Sequence, residues 1–537
     1  MRAVVTPKPS FAALSSRSLA VLAVLLTASC TKVGPDFETP EAKVSSDWIE
    51  NEGKELPETP FKSDKWWEAL NDPTLNRLIE QAYKNNYSLQ TAGVNIMQAR
   101  AQLGVTIGQS YPQQQALTGD YTAARQSPNS STAIPIPGFQ TLNTQSTQFG
   151  LTASWEIDFW GKFRRAIESA DASLMSSIAA YDAALVTLTS DVAATYITVR
   201  TYEERIRIAR QNVVIQKESL RIAQVRYNEG ETSLLDVEQA LTELAQTEAT
   251  IPSLETSLRQ AKNALAVLLG VPPAQLRTIL EGPGQIPTAP SQIAVGIPKD
   301  LLRRRPDVRQ AELKAAAQSA QIGVAKAQLY PAFSLVGFFG FASSNVGSAS
   351  LSDVFSWGSR TGSIGPSMTF PFLNYGQLTN QVRAQDAAFQ QTVLIYQNTV
   401  LTAQKEVEDG LAAYLLAQQS VARYREAERS AAKSADLALV RYREGQTDYT
   451  TVITAQQQLL SVQDSLAINL GNVPQGLVSV YRALGGGWEL RDGNDFVPDD
   501  IKQAMAKRTN WGDLLDPANH QAPTQDQRDA LIRAPDW

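Results

Sequence analysis

The sequence predicts a mixed α+β fold that is mainly α, built as two internal repeats, each a long antiparallel coiled coil joined to a β-hairpin. Three observations carry this. First, two short stretches are near copies 215 residues apart: Arg226-Tyr227-Asn228-Glu229-Gly230-Glu231-Thr232 and Arg441-Tyr442-Arg443-Glu444-Gly445-Gln446-Thr447. Second, each is preceded by about 67 residues with apolar side chains every seventh position, the seam of a coiled coil. Third, each of these long segments follows stretches that alternate with period two, the signature of strands.

The elements follow in order. Residues 1–29 have a basic start (Arg2, Lys8, Arg17) and a short apolar core, Leu19 to Leu26, too short to span a bilayer, as in a secretory signal. Leu26-Thr27-Ala28-Ser29 leads into Cys30, and the arrangement resembles a bacterial lipobox, which implies that Cys30 is a lipidation site and the first residue of the mature chain; a plain signal peptide followed by a chance cysteine is the alternative. Lys32 follows, where an Asp would signal inner-membrane retention. Residues 30–65 read as an extended lead-in. The first repeat spans 66–270. It opens with Trp66-Trp67 and a helical pattern from Pro73 to about Ser110. A hairpin occupies about 112–160, with Leu151, Ala153, Trp155, Ile157 and Phe159 on one face and Thr152, Ser154, Glu156 and Asp158 on the other. A helix from Lys162 to Asn228 carries Ile178, Leu185, Val192, Val199, Ile206, Val213, Leu220 and Tyr227 seven apart. At 1.5 Å per residue it is about 100 Å long. The tip, about 226–236, reverses the chain: Gly230 permits positive φ, and Thr232 is positioned to cap the return helix, Ser233 to Leu269.

A Pro/Gly-rich connector at 271–298 leads to the second repeat, 299–488, which holds a helix over Asp307–Gln328, a hairpin at about 331–375 and a second seven-residue ladder from Val393 to Tyr442. Its tip, about 441–454, contains Gly445, Thr447 and Asp448. Gly150, Gly161, Gly230 and Gly270 recur as Gly365, Gly376, Gly445 and Gly485 at the same offset of 215, so helix length itself is constrained. The polar tail, 489–537, has no assigned role.

Composition narrows the function. The chain has 537 residues, 43% apolar and 19% charged, and a net charge of −6, which argues against nucleic-acid binding. Its one basic run, Arg303-Arg304-Arg305 before Pro306, reads as a solvated helix start. One Cys and one His leave no intrachain disulfide and no Cys/His metal site. A His-dependent nucleophile would have to use His520, in the polar tail. No cofactor and no enzymatic activity are expected.

Each repeat pairs one long helix with two of about half its length, so two short helices stacked end to end match the long one. Four strands per chain cannot close a barrel, but their alternation suits one with lipid outside and water inside. An ordinary hairpin packed on a protein core is the competing reading. The secretory signal and the lack of a helix-length apolar span favour the barrel. Three chains would give twelve strands and twelve helices in section, and helices about 10 Å apart would enclose a lumen of roughly 25–30 Å.

Several motifs occur in order: Cys30-Thr31-Lys32-Val33-Gly34-Pro35-Asp36, Trp66-Trp67, Asp72-Pro73-x-Leu75, Leu89-Gln90, Gln98-Ala99-Arg100-Ala101, Ser154-Trp155-Glu156-Ile157-Asp158, Leu302-Arg303-Arg304-Arg305-Pro306-Asp307-Val308 and both tips. In these the chain resembles the outer membrane factor (TolC-like) family, in its lipoprotein branch serving multidrug efflux. The resemblance covers about 30–488. It implies a homotrimer, lipid-anchored in the bacterial outer membrane, with a 12-stranded transmembrane β-barrel continued by a periplasmic α-barrel. It also implies a periplasmic adaptor (membrane fusion) protein and an inner-membrane RND-type pump as partners. The channel would be passive, gated at the tips. Carried over by position, Tyr442 and Asp236 match one family gating pair. A second pair is not kept, because its positions hold Thr447 and Leu235. The family's acidic ring is replaced by Thr451 and Thr454, which argues against strong cation binding at the entrance. Tyr442 also lies on the seven-residue ladder, so seam residue and gate residue both remain open. A duct for type I protein secretion, or a periplasm-spanning structural lipoprotein, are the alternative functions.

Overall fold

The computed structural model describes residues 32–45, 48–49, 64–125, 143–280, 282–290, 304–346 and 350–516. Cys30, the signal segment, Arg303 and His520 lie outside the described residues. The helices are α1 (Pro73–Asn85), α2 (Tyr87–Gly108), α3 (Lys162–Asn228), α4 (Leu234–Leu268), α5 (Pro306–Ala327), α6 (Gln377–Arg443), α7 (Tyr449–Ala483) and α8 (Asp499–Arg508). The strands are β1 (Gln114–Arg125), β2 (Asn143–Ile157), β3 (Ala332–Ser344) and β4 (Arg360–Thr369). Both long helices, α3 and α6, have 67 residues, and both return helices, α4 and α7, have 35. Two compact units divide the chain: one takes residues up to 38, 101–173 and 315–391, the other 39–100, 174–314 and 392–537.

The first unit is a single antiparallel sheet in the order β1-β2-β3-β4. The hairpins expected from each repeat are joined by β2 pairing with β3, Gly150 opposite Gly340. One face carries Leu117, Leu151 and Phe339 in a row, then Trp155 and Leu335, then Ile157, Phe333 and Met368. Leu117, Leu151, Phe339 and Met368 are all more than half exposed. The opposite face carries Thr118, Thr152, Ser154, Glu156, Ser334, Thr361 and Ser363. Val336 and Phe338 are the large apolar exceptions on that face, and Phe338 has a packing role. Its ring lies over Gly150 and Gly340, where any Cβ would collide with it and with the facing backbone. At the strand ends Trp160 stacks on Tyr330 at 4.6 Å and donates to the Pro331 carbonyl at 2.8 Å. The lead-in is fixed here: buried Arg165 donates to the Val33 and Gly34 carbonyls and pairs with Asp36 and Glu168.

In the second unit the expected helix from Pro73 to Ser110 is two helices. Asn86 breaks it: its backbone is extended, and its side chain accepts from the Leu89 amide at 2.9 Å and donates to the Leu268 carbonyl. The lead-in continues as an extended strap. Gln404 donates to the Lys43 carbonyl, Gln397 to the Glu41 carbonyl, and Trp48 is buried among Val407, Leu411, Val480 and Leu484. Arg305 is not a solvated helix start. It is buried, donates to the Ala483 carbonyl and pairs with Asp307 at 2.8 Å and Glu406 at 2.7 Å. Such a guanidinium tolerates burial because its charge and its fork of donors are both answered. The segment after Trp488 also folds in: buried Arg491 pairs with buried Asp182, and Phe496 meets Tyr181 edge-on at 5.1 Å.

One 18-residue window of α3 reaches a mean hydropathy of 1.2, enough for a membrane span by length and composition, contrary to the expectation that no such span exists. More than half of it is buried in the protein, as in a core helix.

Candidate tip gate

The two tips lie in the second unit. Gly230 and Gly445 adopt φ of +75° and +71°, the left-handed conformation that closes a helix C-terminus. The following helices are not capped by Thr232 and Thr447, as the sequence suggested. Asp448 caps α7, accepting from the Thr451 amide at 3.0 Å, while Ser233 precedes α4 with no side-chain cap. The two threonines turn inward: Thr232 donates to the Asp236 carboxylate, and Thr447 to the Thr451 hydroxyl at 3.0 Å. The Thr232 bond is charge-assisted, its hydroxyl proton going to a carboxylate on the return helix.

The tips meet through one side-chain cluster. The Tyr442 phenol donates to Asp236 at 2.9 Å, so the residues matched to a family gating pair are in contact. Tyr442 is fully buried and edge-on to Tyr449 at 5.0 Å. Both pack with Ile222, Ala223, Val237, Ala240, Ala438 and Val452. Tyr442 is therefore a seam residue and part of the polar contact at once. Burial, and then the bond to Asp236, pushes its phenol up to about 12. Arg226 lies 4.7 Å from the Tyr442 ring centre, donates to the Tyr442 carbonyl and faces Glu231 at 3.4 Å. A cation over the ring and on the C-terminal carbonyl of α6 is favoured by the ring quadrupole and by the helix dipole.

Sequence reasoning passed over Arg226 and the polar rungs above the tip. Gln456 donates to Ser219 at 2.6 Å, Gln457 to Glu243 at 2.6 Å, Asn212 to Gln463 at 2.9 Å, and Arg205 pairs with Asp464 at 2.7 and 3.0 Å. Their signal was present: Asn212, Gln216 and Ser219, spaced four and three apart, are buried polar residues on a helix whose seam is otherwise apolar. Thr451, Thr454 and Leu235 are exposed, and Thr454 donates to the Thr450 carbonyl within its own helix. The carboxylate beside these threonines is Asp448, which accepts from the Thr451 amide at 3.0 Å and from its hydroxyl at 2.9 Å. Tyr227 is 42% exposed, and among the described residues neither its phenol nor the Arg441 guanidinium has a partner.

Two repeated coiled coils and a sheet with one apolar and one polar face define a channel-forming protein of the outer membrane. The chain belongs to the outer membrane efflux protein family, whose profile matches residues 78–271 and 297–486. It is 32% identical over 486 residues to nodulation protein T of Rhizobium leguminosarum bv. viciae, covering 88% of this chain and 94% of that one. It is 28% identical to the probable outer membrane lipoprotein SilC of Salmonella typhimurium, covering 88% and 98%. The solved structure of the outer-membrane channel OprN superposes with a TM-score of 0.78 at 31% identity, covering 85% of this chain and all of that one.

Proposed function

We propose that the protein is the passive outer membrane duct of a tripartite efflux system, assembled as a homotrimer and gated at its two tips. The sheet carries this reading. Among the described residues β1 and β4 each pair on one side only, so each chain has two open edges beside an apolar face. Open edges are not tolerated in lipid, because unpaired N–H and C=O groups there each cost several kcal/mol. Three copies placed edge to edge close twelve strands and remove every edge. From Phe149 to Ile157 the apolar face runs about 26 Å along the strand at ~3.3 Å per residue. Tilted by ~40°, it covers about 20 Å, near the ~25 Å apolar band of such barrels. The Trp160–Tyr330 stack suits the interfacial aromatic girdle.

The tip cluster is the natural gate, since Tyr442, Asp236 and Arg226 hold two coils together through a small number of polar bonds, with Thr232 bracing Asp236. A periplasmic adaptor and an inner-membrane pump of the RND type would act on it, with the pump supplying the energy. Exposed Leu235 and Val214 on the first coil supply apolar area for an adaptor. Acylation at Cys30 would add a lipid anchor to the outer membrane leaflet, with the strap at Arg165 as its inboard attachment.

Reconstitution into planar bilayers tests the duct. The unsubstituted protein should conduct weakly, and variants of the tip cluster should conduct strongly. A protein that stays non-conducting with Tyr442 and Asp236 both replaced is a strut, not a channel.

A further inference from the structure

We propose that Tyr227, Leu234 and Leu437 form the joint between neighbouring chains, with Arg441 of one chain capping Tyr227 of the next. This rests on the trimeric reading above and supplies its contact at the tip.

The argument comes from the internal repeat. Within the chain, the first coil meets the second through Ile222, Arg226 and Asp236 on one side and Tyr442 and Tyr449 on the other. In a closed ring the coils alternate, so the second coil must in turn meet the first coil of the next chain. The repeat offset of 215 maps one joint onto the other. Ile222 becomes Leu437, Arg226 becomes Arg441, Asp236 becomes Thr451, Tyr442 becomes Tyr227, and Tyr449 becomes Leu234.

Burial follows this mapping. Ile222, Tyr442 and Tyr449 are 5%, 1% and 2% exposed, while Leu437, Tyr227 and Leu234 are 54%, 42% and 50% exposed. Three large apolar side chains are thus uncovered at the positions whose copies are buried. The local backbone is the same in both copies. The Tyr227 carbonyl accepts from Gly230 as Tyr442 accepts from Gly445, both at 3.0 Å, and Thr447 bonds Thr451 as Thr232 bonds Asp236. Arg441 therefore points its donors at a tyrosine carbonyl and ring supplied by a second copy, a head-to-tail contact that closes a ring by rotation. The joints differ in one respect. Tyr227 would meet the Thr451 hydroxyl where Tyr442 meets a carboxylate, and a neutral hydrogen bond is weaker than a charged one. The seams between chains should therefore part before the seam within each chain.

The test is cross-linking in intact outer membranes with a short bis-maleimide, using the unsubstituted chain to control for Cys30. The double variant Arg441→Cys/Tyr227→Cys should give covalent dimers and trimers on denaturing gels, and each single variant none. Arg226→Cys/Tyr442→Cys should link within one chain and stay monomeric. A second pair, Leu437→Cys/Leu234→Cys, guards against a double variant that fails to assemble. If neither pair links chains while an amine cross-linker still captures trimers, the joint is elsewhere and the proposal is overturned. If the amine cross-linker captures no trimer of the unsubstituted protein, the trimeric reading itself falls.

Discussion

Tyr442, in the last turn of the long helix of the second repeat, donates its phenol to Asp236, in the first turn of the first repeat's return helix, at 2.9 Å. Residues 206 positions apart in sequence thus tie the two tips of one chain.

Breaking this bond should loosen the closed state. A hydrogen bond to a charged group contributes about 1.5–3 kcal/mol, or roughly 10- to 150-fold in an equilibrium. The Asp236 carboxylate is half-buried, so Asp236→Ala should act near the lower end, with Tyr442→Phe weaker still because the ring stays packed. Single-channel open probability measures both. Unchanged values in both variants would remove the pair from the gate.

The same bond sets an alkaline limit. The phenol ordinarily titrates at 10 and is raised to about 12 at the tip. The protonated form is the one favoured, so the contribution is complete below about pH 10 and is lost as pH rises through about 12. Conductance should be flat between pH 6 and 9 on this account and climb above 10. In Tyr442→Phe that climbing component should be missing.

Arg226→Gln should raise open probability as well, since it removes the cation above Tyr442 and beside the α6 terminus. Such a cation contributes about 0.5–2 kcal/mol. Lys at this position should recover part of the loss, because charge is kept and the planar fork is not. Comparing the two variants by open probability separates charge from geometry.

Removing one partner of a buried ion pair typically costs 3–5 kcal/mol. Arg305→Ala and Arg491→Ala should therefore lower the thermal midpoint of the detergent-solubilised protein by several degrees. Surface pairs such as Arg423–Glu426, both well exposed, should contribute almost nothing when cut.

Gly340→Val should prevent assembly. Its Cβ would strike the Phe149 carbonyl and the Gly150 Cα, and backbone cannot yield as a side chain can. Loss of the heat-resistant oligomer on a semi-native gel is the readout. A normal oligomer would show that β2 and β3 can separate at this point.

Much of this was legible in the chain because periodic burial writes itself into sequence. The helix from Lys162 to Asn228 and the Gly230 and Gly445 reversals were readable, since seven-residue ladders and left-handed glycines have few other causes. The break at Asn86 was less visible: a single Asn is a weak signal until its cap partners are known. Arg305 was misread, and Arg491 went unassigned with the polar tail, for a related reason. Charge in a polar context reads as surface, and only tertiary contacts supply Glu406 or Asp182 to answer it. At the tips the sequence located Tyr442 and Asp236, but a Thr after a glycine reads as a cap, and only the fold shows the Thr232 hydroxyl donating to Asp236.

By itself the sequence determined the repeat, the helix lengths, the two-faced strands and the family, because all of these depend on local periodicity or on motifs in order. Only the tertiary structure decided that β2 pairs with β3, that Arg226 caps Tyr442, and that the same surface is covered on one copy of the tip and bare on the other. Those facts join residues about 200 positions apart, and a contact of that range depends on how whole elements pack, which no local pattern encodes.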